Sequence, residues 1–168
     1  MIRTADPDDA ASIAEIYAHH VLHGTASFDT VPPTSDEWRI KIADIVSRGW
    51  PFLVVEKDGA VVGYTYATQF RDRPAYAETC ENSIYIAPLS SGRGLGSALM
   101  SALLPAAAKA GFRQMIAVVG GGEPASVALH RKFGFIVAGR MHHVGRKFGR
   151  LLDTVYLQRA LDSGEEIA

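Results

Sequence analysis

The sequence predicts a single α/β domain in which about four helices flank a mixed central β-sheet of about seven strands. Three observations support this prediction. The apolar segments follow one another in the order βααβββαβαββ, which is typical of a mixed sheet covered by helices. A glycine-rich turn in the middle of the chain joins a short apolar strand to a long amphipathic helix. No repeat, linker or low-complexity tract interrupts residues 1–168, a length that suits one domain with a substantial core.

A short strand and a helix open the chain. Residues 1–4 form the strand, and Asp6 then caps a helix that has Pro7 at its first position and ends at Gly24. Residues 25–31 follow as an extended loop or an edge strand. The face of the helix that packs on the sheet is predicted to carry Ile13, Ile16, Tyr17, His20 and Val21.

A second helix and a hairpin come next. Thr34 or Ser35 caps the helix. Residues 51–56 and 60–70 form two strands, and the Asp58-Gly59 dipeptide between them is a strong signal for a hairpin turn. The apolar stripe of the helix consists of Trp38, Ile42, Ile45 and Val46.

The glycine-rich turn follows the strand at the centre of the predicted sheet. Residues 83–87 are apolar and rich in β-branched and aromatic side chains, and Pro88 ends this strand. Residues 91–96 then read Ser-Gly-Arg-Gly-Leu-Gly. The helix that starts there presents an apolar face made of Leu95, Ala98, Leu99, Ala102, Leu103 and Ala106.

The last third of the chain is predicted to hold three strands and a short helix. Residues 113–119 form an apolar strand, and residues 124–132 form the helix. Two further strands span residues 135–144 and 151–157, with a loop at residues 145–150.

The glycine-rich turn indicates an anion-binding site. The first turn of a helix has unpaired backbone N–H groups and a partial positive charge, and glycine lets a phosphate reach them. Arg93 adds a full positive charge, so a pyrophosphate is the expected ligand. The spacing matches neither the G-x-G-x-x-G dinucleotide fingerprint nor a P-loop, which would need a Gly-Lys-Ser/Thr sequence. A purely structural turn remains the alternative.

Composition excludes several classes of protein. The formal net charge is −1 and the pI is near 6.6, which indicates neither a nucleic-acid partner nor a polybasic membrane surface. The single cysteine, Cys80, excludes an intramolecular disulfide and fits a reducing compartment. Asp6, Asp8 and Asp9 interrupt the N-terminus before any signal-like apolar run, and no run approaches membrane-spanning length. We therefore expect a cytoplasmic protein.

The element order, together with the stretches GRGLGS at residues 92–97 and SVALHRKFGF at residues 126–135, resembles the GNAT acetyltransferase superfamily. Within it, ENSIYI at residues 81–86 and VGRKFGRLLD at residues 144–153 resemble the phosphinothricin N-acetyltransferases and their relatives that act on methionine sulfone and sulfoximine. The resemblance spans nearly the whole chain. The last stretch is its most specific part, because most GNAT enzymes lack a V-G-x-K-x-G-x-x-x-D segment there.

The resemblance implies acetyl-CoA as the pyrophosphate ligand. No metal is expected, because adjacent histidines on a strand point to opposite faces and no carboxylate or cysteine lies at ligand spacing. The pantetheine arm would pair with the backbone of Ile84, Tyr85 and Ile86, as an added strand does. Glu123 stands where the family usually has an asparagine that contacts the cofactor, and Ser126 follows it on the same helix. The phosphates would lie on the turn formed by Gly92, Arg93, Gly94, Leu95, Gly96 and Ser97.

The resemblance also implies catalytic roles for Glu81 and His130. Glu81 would be the general base for direct transfer, acting through a water or with a pKa raised by burial above the usual value of ~4.3. His130 would protonate the departing CoA thiolate, and a backbone N–H, for example that of Ile86, would hold the oxyanion. From the residues alone, a surface glutamate and a packed helix histidine are the alternatives.

The substrates of this family carry a carboxylate, which arginine binds well. Arg71 and Arg73 precede the strand that contains Glu81 and are expected to bind that carboxylate. Phe28 and Tyr76 are expected to wall the pocket, and Lys147 to reach the polar head of the substrate; solvated loop residues are the alternative for each. The rival functions are acetylation of a protein N-terminus or another amine such as a polyamine, and a non-catalytic acyl-CoA-binding module. The family usually forms dimers, so a homodimer is expected, with the apolar strand at residues 151–157 as a plausible contributor.

Overall fold

The computed structural model describes residues 1–161, so the last residues of the predicted domain lie outside the described part. The chain forms one seven-stranded sheet with the order β1-β2-β3-β4-β5-β7-β6. Strands β4 and β5 run parallel, and every other neighbouring pair is antiparallel. The strands are β1 (Ile2–Thr4), β2 (Phe52–Lys57), β3 (Ala60–Gln69), β4 (Thr79–Ile86), β5 (Gln114–Gly120), β6 (Ile136–Lys147) and β7 (Arg150–Ala160).

Four helices cover the two faces of the sheet, which confirms the predicted α/β architecture. One face carries α1 and α2, and its core includes Trp38, Phe52 and Tyr64. The other face carries α3 and α4 over a core that includes Met100 and Met115. The helices are α1 (Ala10–His23), α2 (Ser35–Ser47), α3 (Leu95–Lys109) and α4 (Pro124–Lys132), and short 3-10 turns occur at Pro7–Asp9, Pro74–Tyr76 and Pro88–Ser90.

Capping residues fix the starts of the first two helices, as the sequence predicts. The Asp6 carboxylate accepts from the backbone N–H of Asp8, and a 3-10 turn leads from there into α1. Thr34 is the cap of α2. Its hydroxyl accepts from the backbone N–H of Glu37 at 3.2 Å, and the Glu37 carboxylate accepts from the backbone N–H of Thr34 at 2.7 Å. This reciprocal pair satisfies two otherwise unpaired donors.

Some predicted boundaries differ from the structure. Strand β4 begins at Thr79 rather than at residue 83, because Cys80 already pairs with Gln69 of β3 and Thr79 with Gln114 of β5. Of the two alternatives for residues 25–31, the structure has the loop. Strand β6 continues to Lys147 beyond an irregularity at residues 141–145, so the predicted loop at residues 145–150 shrinks to a two-residue turn.

That turn consists of Phe148 and Gly149, whose φ angles are 53° and 69°. Two consecutive positive φ values are the signature of a type I′ turn, which matches the twist of the strands that it joins. The hairpin of β6 and β7 therefore ends in a tight turn, and its second strand pairs with β5.

Strands β4 and β5 separate part of the way along the sheet. Their paired residues run from Thr79 opposite Gln114 to Asn82 opposite Ala117. Both strands then continue, β4 to Ile86 and β5 to Gly120, without pairing with each other. Their separation opens a gap in the middle of the sheet.

Candidate active site

A cavity of about 700 Å³ occupies the gap between β4 and β5. Its walls come from the diverging halves of both strands, the end of α1 with the following loop at residues 24–29, the turn before α3, and the first half of α4. The cavity therefore connects the two faces of the sheet, which are otherwise closed by the helices.

Side chains of β4 alternate between these two faces. Residues directly opposite each other on antiparallel strands share a face, so Glu81 and Tyr85 lie on the α1–α2 face together with Thr68 and Tyr64 of β3. The Tyr85 ring packs accordingly, 5.1 Å from that of Tyr17 on α1. Asn82, Ile84 and Ile86 lie on the α3–α4 face, where Asn82 contacts His130.

Two peptide groups of β4 face the gap. The N–H of Ala87, just beyond the end of β4, donates to the carbonyl of Val62 in β3 at 2.8 Å. Since peptide groups alternate along a strand, the peptide groups of Ile84 and Ile86 point away from β3, toward the cavity. The Ile86 carbonyl accepts a hydrogen bond from His20 Nε2 at 2.8 Å. Of the three residues predicted to pair with a pantetheine arm, Tyr85 turns its peptide group to β3 instead.

The glycine-rich turn forms an open concave surface at the edge of this cavity. Gly92 and Gly94 have φ angles of 73° and 77°, and no other described heavy atom lies within 4 Å of the position that a Cβ would take at either residue. Within residues 1–161 no side chain caps the start of α3. Its first N–H groups are therefore available to an anion, and Arg93 is exposed beside them. The residues present fit a pyrophosphate.

Two further residues near the turn have roles that the sequence did not indicate. A Cβ at Gly96 would lie 3.3 Å from Leu129 Cδ2, so this glycine lets α4 approach α3 closely. Lys132 Nζ donates to Ser97 Oγ at 3.0 Å, which brings a second cation to the start of α3. Leu95 is the first residue of α3.

The carboxylate of Glu123 is occupied by its own helix. It accepts from the backbone N–H groups of Ala125 at 3.1 Å and Ser126 at 2.8 Å, as an N-cap does. Pro124 at the first helical position is the sequence signal that could have identified this cap. The charge at residue 123 is thus compensated by the start of α4, and both Glu123 and Ser126 line the cavity.

Glu81 combines partial burial with two nearby cations. Its side chain is 31% exposed and lies 3.6 Å from Arg71, measured between Glu81 Oε2 and Arg71 Nη1. Burial raises the pKa of the Glu81 carboxyl, while the charges of Arg71 and Lys41 oppose that shift. Burial prevails, so this carboxylate is a stronger base than an ordinary glutamate.

His130 is buried on the other face, with both ring nitrogens hydrogen bonded. Nδ1 lies 2.7 Å from the carbonyl of Ser126, and Nε2 lies 3.0 Å from Nδ2 of Asn82. Because a carbonyl can only accept, the proton is on Nδ1. Burial lowers the pKa of the imidazole, so Nε2 accepts from Asn82. Oδ1 of Asn82 has no hydrogen-bond partner within residues 1–161. The role of His130 as an acid stays a prediction.

The predicted acceptor residues are not brought together. Phe28 lines the cavity, and Arg71 reaches Glu81. Arg73 and Tyr76 are exposed and do not line it, and the Tyr76 ring packs 5.5 Å from that of Phe70. Lys147 is buried beneath the loop at residues 25–29, where Nζ donates to the carbonyl of Ser27 at 2.8 Å, so it is not presented to the cavity.

The sequence did not predict that other polar residues line the cavity. The Tyr17 hydroxyl contacts Ser27 Oγ at 2.7 Å and donates to the Asp29 carboxylate, and His20 holds Ile86 as described. Periodicity assigns Tyr17 and His20 to the packing face of α1, and only the tertiary structure turns them to the cavity. Within residues 1–161, no three side chains of His, Cys, Asp or Glu cluster as metal ligands, and no helix is long and apolar enough to cross a membrane.

Comparison with known proteins gives consistent results. The model of the acetyltransferase (GNAT) domain matches residues 2–156. The chain is 47% identical over 165 residues to a phosphinothricin N-acetyltransferase from Alcaligenes faecalis, covering 98% of this chain and 84% of the relative. It is 38% identical over 164 residues to an L-methionine sulfoximine/L-methionine sulfone acetyltransferase from Salmonella typhimurium, covering 96% and 94%.

A solved structure extends this similarity to the fold. A phosphinothricin acetyltransferase from Sinorhizobium meliloti, crystallised in complex with AcCoA, superimposes with a TM-score of 0.92. The sequence identity is 45%, and the match covers 95% of this chain and 87% of that one.

Proposed function

The chain belongs to the GNAT acetyltransferase family, and from that premise we propose that it acetylates the α-amino group of a small amino-acid analogue. Acetyl-CoA is the donor, and the acceptor is of the phosphinothricin, methionine sulfone or methionine sulfoximine type. The names of the relatives support this substrate class. The observation that carries the proposal is Glu81, a carboxylate of raised pKa at the cavity that joins the two faces of the sheet.

Acetyl-CoA is assigned to the α3–α4 face. When bound, it supplies an activated acetyl group as a thioester. The turn at residues 92–97 holds the pyrophosphate through its free N–H groups, with Arg93 and Lys132 as counter-charges. The peptide group of Ile84 binds the pantetheine arm in the gap, where β5 no longer satisfies it, whereas the carbonyl of Ile86 is held by His20. Glu123 and Ser126 border this part of the cavity.

Glu81 acts as the general base from the α1–α2 face. An amino-acid ammonium must lose a proton before its nitrogen can attack the thioester, and a glutamate of raised pKa takes that proton more readily than an exposed one. The proton passes directly or through one water. The N–H of Ile86 faces the gap and is the donor that we assign to the developing oxyanion. Transfer is direct, without an acetylated protein intermediate. The amine nitrogen bonds to the acetyl carbon, the bond from that carbon to sulfur breaks, and CoA leaves as the thiolate.

Cations near Glu81 favour an acceptor with a carboxylate. Arg71 lies 3.6 Å from Glu81, and the charge of Lys41 also acts on it. A polyamine acceptor would be repelled by these two charges. Arg71 is therefore our first candidate for binding the acceptor carboxylate, with Arg73 farther out on the same loop, and Phe28 forms the opposite wall.

We also propose a cytoplasmic homodimer. Strand β6 is an edge of the sheet, and an unpaired edge that carries apolar side chains favours association. These side chains belong to the β6–β7 hairpin, and the exposed ones include Ile136, Val137, Val144 and Leu151. A reduced, buried Cys80 is compatible with the cytoplasm. Sedimentation of the purified protein tests the dimer.

The test of the function is release of the CoA thiol from acetyl-CoA with a panel of amines. Turnover confined to phosphinothricin, methionine sulfone and methionine sulfoximine supports the proposal. Turnover confined to methionine, spermidine or an N-terminal peptide contradicts the substrate class. If the protein binds acetyl-CoA but turns over no amine of the panel, the result favours a non-catalytic acyl-CoA-binding module.

The Glu81→Gln variant tests whether Glu81 is the general base. We expect kcat to fall by roughly 10²–10⁴ while acetyl-CoA binding is retained. Glu78→Gln is the matched control, because Glu78 is exposed and lies three residues earlier on the chain. Equal kcat values for the two variants would remove Glu81 as the base.

A further inference from the structure

We infer that Lys147 is a positioning residue, which holds the loop carrying Phe28 and Asp29 in place on the acceptor side of the cavity. We call residues 25–29 the acceptor loop. Lys147 touches neither the cavity nor a reacting atom in this arrangement, and it acts through the loop. The inference rests on the proposed function only for its kinetic readout, because the position of the loop is measurable without any substrate.

Groups of the acceptor loop stabilise the buried ammonium of Lys147. It is 5% exposed, and Nζ donates to the carbonyl of Ser27 at 2.8 Å. Burial lowers the pKa of this ammonium, whereas the charge of Asp29 opposes the shift. Burying an ammonium is costly unless it is paired and hydrogen bonded. The hydrogen-bonding carbonyl and the nearby carboxylate both belong to the acceptor loop, and the ammonium also faces the Phe148 ring, with 5.2 Å from Nζ to the ring centroid. Displacement of the loop would therefore leave the buried charge without its hydrogen bond and its anion.

The Phe28 ring is held between two strands that lack side chains where it passes. A Cβ at Gly145 of β6 would lie 2.4 Å from Phe28 Cε2, and a Cβ at Gly120 of β5 would lie 2.9 Å from Phe28 Cε1. Real Cβ atoms do not approach so closely. The two glycines thus fix opposite edges of a ring that forms part of the cavity wall.

The loop transmits this placement to the cavity through hydrogen bonds. Ser27 Oγ contacts the Tyr17 hydroxyl at 2.7 Å and accepts from the backbone N–H of Asp29 at 3.2 Å. The Tyr17 hydroxyl also donates to the Asp29 carboxylate. Tyr17, Phe28 and Asp29 all line the cavity. A displacement of Ser27 therefore moves cavity-lining groups.

These contacts explain the V-G-x-K-x-G-x-x-x-D segment at residues 144–153. Gly145 admits Phe28, Lys147 binds Ser27, and Gly149 completes the tight turn between β6 and β7. Asp153 accepts from the backbone N–H of His143 at 2.9 Å, which fixes the irregularity in β6, and its own carbonyl accepts from the N–H of Gly121 at 2.8 Å. A segment of the hairpin thus secures the wall of a site that it does not enter.

The experiment compares Lys147→Met with Lys147→Arg and with Arg146→Met. Met keeps the length of the lysine without its charge, Arg keeps the charge and the donors, and Arg146 is an exposed neighbour on β6. For Lys147→Met we expect the KM of the best acceptor to rise by roughly 10- to 100-fold, as for the loss of a hydrogen bond to a charged group. The Kd of acetyl-CoA should change by less than about twofold, since the acetyl-CoA contacts lie elsewhere.

Hydrogen exchange provides the readout that needs no acceptor. Lys147→Met should speed exchange of the amides of residues 25–29 but not of α3, and Lys147→Arg should restore much of the protection. Unchanged exchange in the acceptor loop would overturn the inference, whatever the kinetics. If Lys147→Met does not fold, Lys147→Gln also removes the charge and is one atom shorter than lysine, and unchanged exchange in the acceptor loop of that variant would overturn the inference equally. If the wild type acetylates no amine of the panel, the proposed function is wrong. Hydrogen exchange of the acceptor loop still tests the role of Lys147 in that case, because it needs no substrate.

Discussion

Substitutions of His130 distinguish two possible roles of this residue, as a proton donor in catalysis and as a hydrogen-bonding residue of the buried structure. His130→Ala removes the partners of the Ser126 carbonyl and of Asn82 Nδ2 and leaves a cavity beside Phe135, whose ring centroid is 5.0 Å away. An unsatisfied buried group costs about 1–3 kcal/mol, and the cavity adds to that cost. We expect His130→Ala to lower the free energy of unfolding by about 3–5 kcal/mol.

His130→Gln is the informative variant. A glutamine amide can donate from its nitrogen to the Ser126 carbonyl and accept from Asn82 at its oxygen, although it cannot donate a proton to a thiolate. The structure predicts a loss of only about 1 kcal/mol in stability and a kcat within roughly tenfold of the wild type, because His130 is neutral and both its nitrogens are engaged.

Urea unfolding and steady-state kinetics over a range of pH measure these quantities. If His130→Gln keeps its stability but loses kcat by 10²-fold or more, and the wild-type profile shows an essential acid that the variant lacks, the histidine is the proton donor and our reasoning is refuted. Asn82→Ala is the companion variant. Because Asn82 Nδ2 donates to His130 Nε2 and Asn82 Oδ1 has no partner within residues 1–161, the orientation of the Asn82 side chain depends on His130.

Two further predictions concern titratable groups of β4. The pKa of Glu81 is raised above its ordinary value of 4.5, so the folded state holds that proton more tightly than the unfolded state. The charged carboxylate therefore destabilises the fold as pH rises from 4.5 through the raised pKa. Glu81→Gln should have a higher urea midpoint than the wild type at neutral pH and an equal one below pH 4.5; a lower midpoint at neutral pH would contradict the burial of Glu81. Burial also raises the pKa of the Cys80 thiol to about 12, so on the order of 10⁻⁴ of it is thiolate at pH 8. Ellman's reagent should detect no thiol in the native protein and one per chain after denaturation, whereas rapid native reaction would mean that β4 opens readily.

Local signals sufficed for most of the fold. The hairpin turn at Asp58-Gly59 depends on nearby residues, and the sequence predicts it correctly. Thr34 is one of the two caps that the sequence offers for α2, and Leu95, the first member of the predicted apolar face, begins α3. The start of β4 was missed because Glu81 and Asn82 are polar and look like the end of a loop. Both side chains line the cavity, where polar groups are accommodated. A polar side chain does not prevent the backbone of its residue from pairing in the sheet.

The site was less predictable because it depends on where pairing stops. Residues 84–86 and 118–119 are more apolar than the paired residues 79–82 and 114–117, so the loss of pairing leaves no polar signal in the sequence at the point where the strands separate. The direction of Lys147 was equally hidden, since a lysine near a hairpin tip is usually solvated. Only the position of the acceptor loop, brought over the sheet by α1, explains why this one is buried.

The alternation of β4 explains how one strand serves both substrates. Glu81 points to the α1–α2 face, and the peptide groups of Ile84 and Ile86 point into the gap, because residues of odd and even number differ in direction along the strand. A shift of one residue in the pairing of β3 with β4 would exchange these roles, turning Glu81 toward α3 and α4 and closing the peptide groups of Ile84 and Ile86 onto β3. The register is held from both sides, since Tyr64, Tyr66 and Tyr85 pack with α1 and α2, and Cys80 packs in the core below α3. The packing of the two cores thus determines which face receives Glu81, and in the proposed mechanism it thereby separates the base from the acetyl donor.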